Sequence, residues 1–452
     1  MDGKYHLKGP SMNRVILSLA ALLPVLLSAP GAAGAEWPEK PNIVLILADD
    51  LGAECLGCYG GKSYETPNLD RLAAAGLHFD RCYALPACSP SRGELLTGRY
   101  SFRTEITHVI LPGAPGKLDV QRHRTFVQLL RDGGYATCIA GKWHLCLDFL
   151  DHPRHVADAG FEDRYLWRLF RDRAVQRHYW NPELWIEDRP ADEVGKGKFG
   201  DDLFTEHVVQ FMRAHRDRPF FVYYPMTLVH SQTATGKNYP PSPDVIRPGD
   251  DPDEGVQPRQ KGFAQLVAYT DKLAGRIVEE VDRLGLGEKT LILFAGDNGT
   301  DRTITSRLGD RDIPGGKGSL TEAGTRVPLI ARWPGIVAPG GVAEELVDFT
   351  DFFPTILEAA GVAMPPGYQI DGRTFLARLR GEPYKGRDWV YRHYQRAWCI
   401  RGDRYRLDST GKFWDLGADP YDPKPAGAGP EATAARKRLA AAAAELRGTP
   451  ER

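Results

Sequence analysis

The residues best placed to do chemistry are Cys88-Ser89-Pro90-Ser91-Arg92 and the segment that follows, Gly93-Glu94-Leu95-Leu96-Thr97-Gly98-Arg99. Ser89 is a good helix cap, Pro90 suits a first helical position, and Leu95 and Leu96 begin an apolar face. The pattern predicts Cys88 just before a helix N-terminus, where unpaired N–H groups and the positive dipole end would face a reacting anion. The competing reading is a buried structural cysteine beside an ordinary cap. A second group, Asp49, Asp50, Asp297 and Asn298, offers hard oxygen ligands without a thiolate or imidazole cluster, which favours Ca²⁺ or Mg²⁺ over zinc. Adjacent aspartates are also common caps; the turn Gly296-Asp297-Asn298-Gly299 at the end of another apolar run is what favours a metal.

These groups need a scaffold, and four apolar runs supply one. Residues 42–48 run into Asp49-Asp50, 135–140 into Gly141-Lys142-Trp143-His144, 220–224 lead to His230, and 290–295 run into the 296–299 turn. Continuous rather than alternating hydrophobicity predicts strands buried on both faces. Helical patterns lie between them at 69–75, 125–131, 202–215 and 263–284, so the expected fold is α/β, a large, mostly parallel mixed sheet sandwiched by helices. Ligands on such sheets bind beyond the carboxyl ends of the strands, where the polar clusters would converge. Taken singly, each run reads better as a core strand with a polar turn, and Lys142 with His144 as a solvated turn; it is the four together, beside Cys88, that point to a site.

Past about residue 378 the pattern changes to short strands at 388–394, 397–400, 405–407 and 412–416 and an Ala-rich helix at 431–447. This predicts a smaller C-terminal antiparallel-sheet subdomain over 379–452, after a catalytic domain over 36–378. Segments 187–200, 233–261 and 300–314 read as cleft loops, with Arg302, Arg307 and Arg311 available to acidic substrates or simply solvated. In Gly315-Gly316-Lys317-Gly318 the glycines would let Lys317 approach a small anion closely.

At 452 residues, 42% hydrophobic and 26% charged, the chain is neither disordered nor fibrous. Residues 1–35 differ: Lys4, Lys8 and Arg14 precede the run 15–27, which ends in small residues with an Ala33-Gly34-Ala35 site. That run is short for a bilayer span and reads as a cleaved secretory signal, with translation starting at Met1 or at Met12. The expectation is an exported protein, periplasmic or secreted, without stable membrane insertion. A net charge of −1 suggests no nucleic-acid partner. Seven cysteines are an odd count for an exported chain; setting Cys88 aside leaves six, whose pairing the sequence does not choose. Cys55-x-x-Cys58 is half a zinc pattern without its other half.

The Cys88 segment resembles the modification signature of the type I sulfatases, in the alkaline-phosphatase-like superfamily. The resemblance runs from Pro41 to about Asp419 and includes PNIVLILADDLG at 41–52, TPNLDRLAAAG at 66–76, GKWHL at 141–145, GDNG at 296–299, GGKGSLTEAGTRVP at 315–328 and FWDLGADP at 413–420. It implies that Cys88 is oxidised to formylglycine (3-oxoalanine) by a dedicated modification enzyme. Asp49, Asp50, Asp297 and Asn298 would then hold Ca²⁺, or Mg²⁺, together with the hydrate made from Cys88. Arg92 would stabilise that hydrate, Lys142 and His144 would flank it, and His230 and Lys317 would contact the sulfate. The implied reaction is attack of one hydrate hydroxyl, assisted by Asp297, on a sulfate monoester, which leaves a sulfate hemiester on the enzyme as the alcohol departs; the second hydroxyl then gives its proton to His144, and collapse to the aldehyde expels inorganic sulfate.

The sequence departs from the family pattern at Cys146, where glycine is usual, at Ala53-Glu54, at Gly296 where serine is frequent, and after His230, where Ser231-Gln232 stand without a nearby proline. The expected activity is a sulfatase acting on a sulfated small molecule or glycan. The alternatives are a formylglycine-dependent phosphonate monoester or phosphodiester hydrolase and a catalytically inactive binding protein on the same scaffold.

Overall fold

The structure is a computed structural model that describes residues 1–3, 6, 38–111, 116–169, 177–232, 239–252 and 254–448; the leader expected at 1–35 lies almost entirely outside them. Its main sheet is built on β1 (Asn42–Ala48), whose five aliphatic side chains from Ile43 to Leu47 are fully buried, each burial being worth about 1.5–3 kcal/mol. In chain order the other strands of this sheet and its neighbouring hairpin are β2 (Leu77–Tyr83), β3 (Ala136–Gly141), β4 (Asp163–Trp167), β5 (Leu184–Ile186), β6 (Arg189–Pro190), β7 (Phe220–Pro225), β8 (Thr290–Gly296), the hairpin β9 (Thr305–Leu308) with β10 (Arg311–Pro314), then β11 (Arg326–Val327), β12 (Leu329–Arg332) and β13 (Gly341–Asp348).

The eleven-stranded sheet runs β11-β2-β12-β8-β1-β7-β3-β4-β5-β6, with β13 also on β2. Its centre, β8-β1-β7-β3-β4, is parallel, so the carboxyl ends of β1, β3, β7 and β8 share one edge. Antiparallel strands occupy both flanks. The expected mixed α/β sheet is therefore present, and it is wider than the four apolar runs indicated. The segment 300–314, expected as a loop, carries the β9–β10 hairpin, and 187–200 carries β6 and a helical turn at Asp192–Gly195.

Helices cover the sheet, and side chains fix where two of them begin. Thr125 Oγ1 accepts from Gln128 N at 3.2 Å while Gln128 Oε1 accepts from Thr125 N at 2.9 Å, a capping box that starts the helix Phe126–Asp132. Helix Pro67–Ala74 is capped from outside: Asp271, on helix Arg259–Arg283, accepts from Asn68 N and Leu69 N at 2.9 and 2.8 Å. Among the described residues no helix is long and apolar enough to cross a membrane.

A separate five-stranded sheet follows, β14 (Val390–Tyr394), β15 (Ala397–Arg401), β16 (Tyr405–Asp408), β17 (Phe413–Asp415) and β18 (Lys424–Pro425), paired in sequence order and antiparallel. Helix Pro430–Gly448 lays Ala432, Ala435, Leu439 and Ala443 on it, the three- and four-residue spacing of one helical face. All seven cysteines are free thiols.

Candidate active site

The expected helix after Cys88 forms, with one correction. It spans Cys88–Thr97, so Cys88 is its first residue and Ala87, not Ser89, is the N-cap. Ser89 is diverted: its Oγ accepts from Ile110 N at 3.1 Å. Ser91 Oγ donates to the Leu85 carbonyl at 3.0 Å and pins the turn before the helix. Every residue of the helix is buried, and the Cys88 thiol faces the carboxyl edge of the sheet.

There it meets the ends of β1 and β3. Cys88 Sγ lies 3.3 Å from Asp49 Oδ1 and receives Lys142 Nζ at 3.4 Å, and Lys142 Nζ also donates to Asp49 Oδ2. Lys142 can reach this point because Gly141, at φ +127°, lets β3 press on β7; a Cβ there would lie 2.0 Å from the Pro225 carbonyl oxygen. Asp49 is fixed between strands, its N donating to Leu228 O and its O accepting from Val229 N, both at 2.7 Å.

The end of β8 closes the ring. Asp297 Oδ2 accepts from Arg92 Nη2 at 2.7 Å and Nε at 3.1 Å, and its Oδ1 accepts the Asp50 N–H at 3.1 Å. Arg92 Nη1 donates to the Lys142 carbonyl at 2.6 Å, so one guanidinium ties the helix to β3 and β8. Asn298 Nδ2 donates to Asp50 Oδ1 at 2.8 Å, and Asn298 Oδ1 is buried without a partner. Lys317 Nζ donates to Asp50 Oδ2 at 2.7 Å. The Lys317 loop lies across the site because Lys317 N donates to Thr300 O at 3.0 Å and Gly318 N to Pro86 O at 2.7 Å. Gly316 permits that course, since a Cβ would come within 2.4 Å of the Ala323 backbone.

His144 and His230 complete the set. His144 Nε2 lies 3.0 Å from the Ile110 carbonyl, which can only accept, so Nε2 carries the proton and the buried, unpartnered Nδ1 is a free base. His230 Nδ1 likewise donates to Ser231 O at 2.7 Å, and its Nε2 lies 3.9 Å from Asp50 Oδ2. The structure thus brings together all ten sequence-predicted residues: Asp49, Asp50, Cys88, Arg92, Lys142, His144, His230, Asp297, Asn298 and Lys317.

Burial governs the electrostatics. It raises Asp50, and it pushes Asp297 up to about 6 with help from the Asp49 charge. Asp49 meets the same burial, yet the Lys142 and Arg92 charges, with Lys317, hold it well below the usual carboxylate range. Burial opposes the charges on Lys142 and Lys317, but Asp49 and Asp50 outweigh it and keep both ionised. Burial, then Asp49, pushes the Cys88 thiol up, so Cys88 is a protonated and weak nucleophile as it stands. Burial followed by Lys142 lowers His144, and burial followed by Lys317 lowers His230, leaving both imidazoles neutral.

Three supporting residues escaped the sequence reading. Buried Glu54 accepts from Thr300 Oγ1 at 2.6 Å, and that hydroxyl accepts from Gly52 N at 3.2 Å, bracing the turn after Asp50. The unexpected glutamate at 54 was the available signal. His155 accepts from Trp143 Nε1 at 3.1 Å and steadies the Lys142–His144 turn. Buried His178 packs against His230 with ring centroids 5.9 Å apart; a lone histidine in a polar segment gives no signal. Cys55 bonds to hydroxyls, its Sγ 3.4 Å from Thr300 Oγ1, in place of a metal site with Cys58.

A wholly buried carboxylate and amide cluster, neutralised by three cations and joined to a thiol at a helix start, defines a site for processing small anions. The sulfatase family model matches residues 41–362, and the chain belongs to that family and is a sulfuric ester hydrolase. The model of the N-sulphoglucosamine sulphohydrolase C-terminal region matches 316–447. N-acetylgalactosamine-6-sulfatase of Canis lupus familiaris is 32% identical, the match covering 86% of this chain and 74% of that protein. Arylsulfatase A of Homo sapiens is 33% identical, over 77% of this chain and 70% of the relative. Among solved structures, Ps i-CgsB superposes with a TM-score of 0.73 at 23% identity, over 90% of this chain and 93% of that one. A protein solved with its substrate D-glucosamine-2-N,6-O-disulfate superposes at 0.70 and 20%, over 90% and 97%.

Proposed function

We propose that this chain is an exported carbohydrate sulfatase that uses formylglycine made from Cys88 by a modification enzyme and a divalent cation, Ca²⁺ or Mg²⁺. The observation that carries this reading is the Cys88 thiol set between Asp49 and Lys142 at the helix start, beside the buried carboxylates and Asn298 at the carboxyl edge of the sheet. The residues present fit a cation: Asn298 Oδ1 is a buried acceptor without a donor, and three buried carboxylates converge with it. Asp49, Asp50, Asp297 and Asn298 would hold the ion, which would supply positive charge beside the nucleophile, and the oxidised Cys88 would supply a hydrated aldehyde.

The chain's own groups do the rest. Arg92 holds Asp297 and the Lys142 carbonyl in place. Lys317 Nζ, on a side chain 21% exposed, is the cation open to an entering sulfate ester. As the ester bond breaks, negative charge grows on the leaving oxygen, and preorganised cations such as Lys317 and Lys142 stabilise it. His230 Nε2 has an open lone pair facing the same space, and His144 Nδ1 is the buried base beside Ile110.

Support for a carbohydrate comes from the sugar-sulfate names among the relatives and from the wide cleft beside Lys317, which the C-terminal sheet at 379–452 walls opposite the catalytic part at 36–378. Support for export is the leader-like composition of residues 1–35. Protein from a modification-competent host should release sulfate from 4-nitrophenyl sulfate and sulfated sugars faster than it cleaves the matching phosphate or phosphonate esters. Cys88→Ala should lose this activity and keep its fold. Wild-type-like turnover in Cys88→Ala, or faster phosphonate cleavage by the wild type, would overturn the proposal.

A further inference from the structure

The cavity of about 820 Å³ that opens beside Lys317 extends from the helix start at Ala87 to the β14–β15 and β16–β17 turns of the C-terminal sheet. It has room for a sugar unit beyond the one that carries the reacting ester. Its wall holds Arg302, Arg396 and Arg406, with Trp398 of β15 and a single carboxylate, Asp408.

The charge there is unbalanced. Asp408 is committed to its own hairpin, accepting from Thr410 N at 2.9 Å, Thr410 Oγ1 at 2.6 Å, Lys412 N at 3.1 Å and Trp414 Nε1 at 3.1 Å. Arg302 Nε is used by the Lys317 carbonyl at 2.6 Å, but none of the three arginines has a carboxylate partner among the described residues. Two arginines of the β9–β10 hairpin, outside the cavity wall, differ: Arg307 pairs with Asp312 at 3.1 Å, and Arg311 pairs with Asp419. Arg406 is the most telling, being 7% exposed while its Nη1 reaches Leu320 O only at 3.5 Å, the outer limit of a hydrogen bond. Among the described residues no carboxylate lies within ion-pair distance of Arg406, and although Glu322 and Asp408 act on it from further off, burial outweighs them and lowers its pKa; a nearly buried guanidinium so placed is costly unless an anion completes it.

Resting on the sulfatase reading above, we propose that this cavity binds a second anionic oxo group, a sulfate or carboxylate on the sugar unit next to the one being hydrolysed, through Arg406, Arg396 and Arg302. The preferred substrate class is therefore a multiply anionic oligosaccharide. Neutral extensions of the sugar would gain only ordinary hydrogen bonds from these arginines, without the charge-assisted part.

The test uses two sulfated disaccharides that share the reacting ester, one bearing a second anionic group on the adjoining unit and one bearing a hydroxyl there. At low salt the wild type should favour the doubly anionic compound by about tenfold in kcat/KM, chiefly through KM, and added salt should erode the preference. Arg406→Gln should collapse that ratio. Because Arg406 is buried, exposed Arg396→Ala is the companion variant and should reduce the ratio as well. Calorimetric binding of the same pair to Cys88→Ala protein should show the same preference without turnover. Equal binding of the two compounds there would overturn the second-anion subsite, as would variants that weaken both compounds alike. Preferential binding by Cys88→Ala, combined with wild-type protein that carries the oxidised Cys88 yet releases no sulfate from either compound, would instead sustain the subsite and overturn the sulfatase reading.

Discussion

Asn298 gives its amide Nδ2 to Asp50 Oδ1 at 2.8 Å and leaves its own Oδ1 buried without a partner. The bond fixes which way the amide points, so the orphan is an oxygen, an acceptor among carboxylates. An unsatisfied buried carbonyl costs about 1–3 kcal/mol, and a cation removes that cost along with the mutual repulsion of Asp49, Asp50 and Asp297. Calcium should therefore raise the thermal midpoint of the wild type, and chelation should lower it. Asn298→Ala should lose most of that shift and bind less metal by elemental analysis; an unchanged shift would remove Asn298 from the ligand set.

Arg92 and Asp297 are both fully buried and joined through two nitrogens on one oxygen. Arg92→Ala leaves Asp297 without its guanidinium, and breaking such a pair costs about 3–5 kcal/mol. The loss, read from urea denaturation, should be larger in chelator than in calcium, since the ion would compensate the same carboxylate. Arg92→Lys should not restore the wild-type value, because an ammonium cannot reproduce the fork that also reaches the Lys142 carbonyl.

Glu322 joins the two sheets. Its Oε2 accepts from Tyr83 OH at 2.8 Å and its Oε1 from Arg401 Nε at 3.1 Å, with both charges buried. Arginines hold the Glu322 carboxyl below its ordinary value against the opposing effect of burial. Glu322→Ala should destabilise by about 3–5 kcal/mol through the uncompensated Arg401. A urea midpoint within experimental error of the wild type would show that this pair does not anchor the C-terminal sheet.

His155 uses both ring nitrogens while neutral, accepting from Trp143 Nε1 and donating from Nε2 to the Leu118 carbonyl at 2.8 Å. Burial lowers its pKa to about 4. A histidine depressed on folding binds fewer protons folded than unfolded, so its contribution is whole above an ordinary pKa of about 6.5 and is lost as pH falls towards 4. The loss amounts to about 3 kcal/mol. His155→Phe should be less stable near pH 7.5 but lose less stability between pH 6.5 and 4.5. Parallel curves for the two proteins would contradict this assignment.

The site was legible because its strands advertise it. Continuous apolar runs ending in Asp49-Asp50, Lys142-Trp143-His144 and Asp297-Asn298 mark central parallel strands, and only the carboxyl edge can bring those ends together. The C-terminal sheet was legible for a similar reason, its short strands being separated by clear turn residues. β2 was not, because Leu77–Tyr83 interleaves His78, Asp80 and Arg81 with apolar residues and meets strands from far along the chain. β12 is four residues long and owes its place between β2 and β8 to tertiary pairing. The cap at Ser89 failed because the Ile110 N–H, distant in sequence, competes for its hydroxyl.

The most direct test of the central claim is the mass of the peptide containing Cys88, taken from active protein made in a modification-competent host. Replacement of the thiol by an aldehyde predicts a peptide about 18 Da lighter than the thiol form. An unmodified thiol in protein that nevertheless hydrolyses sulfate esters would contradict the account.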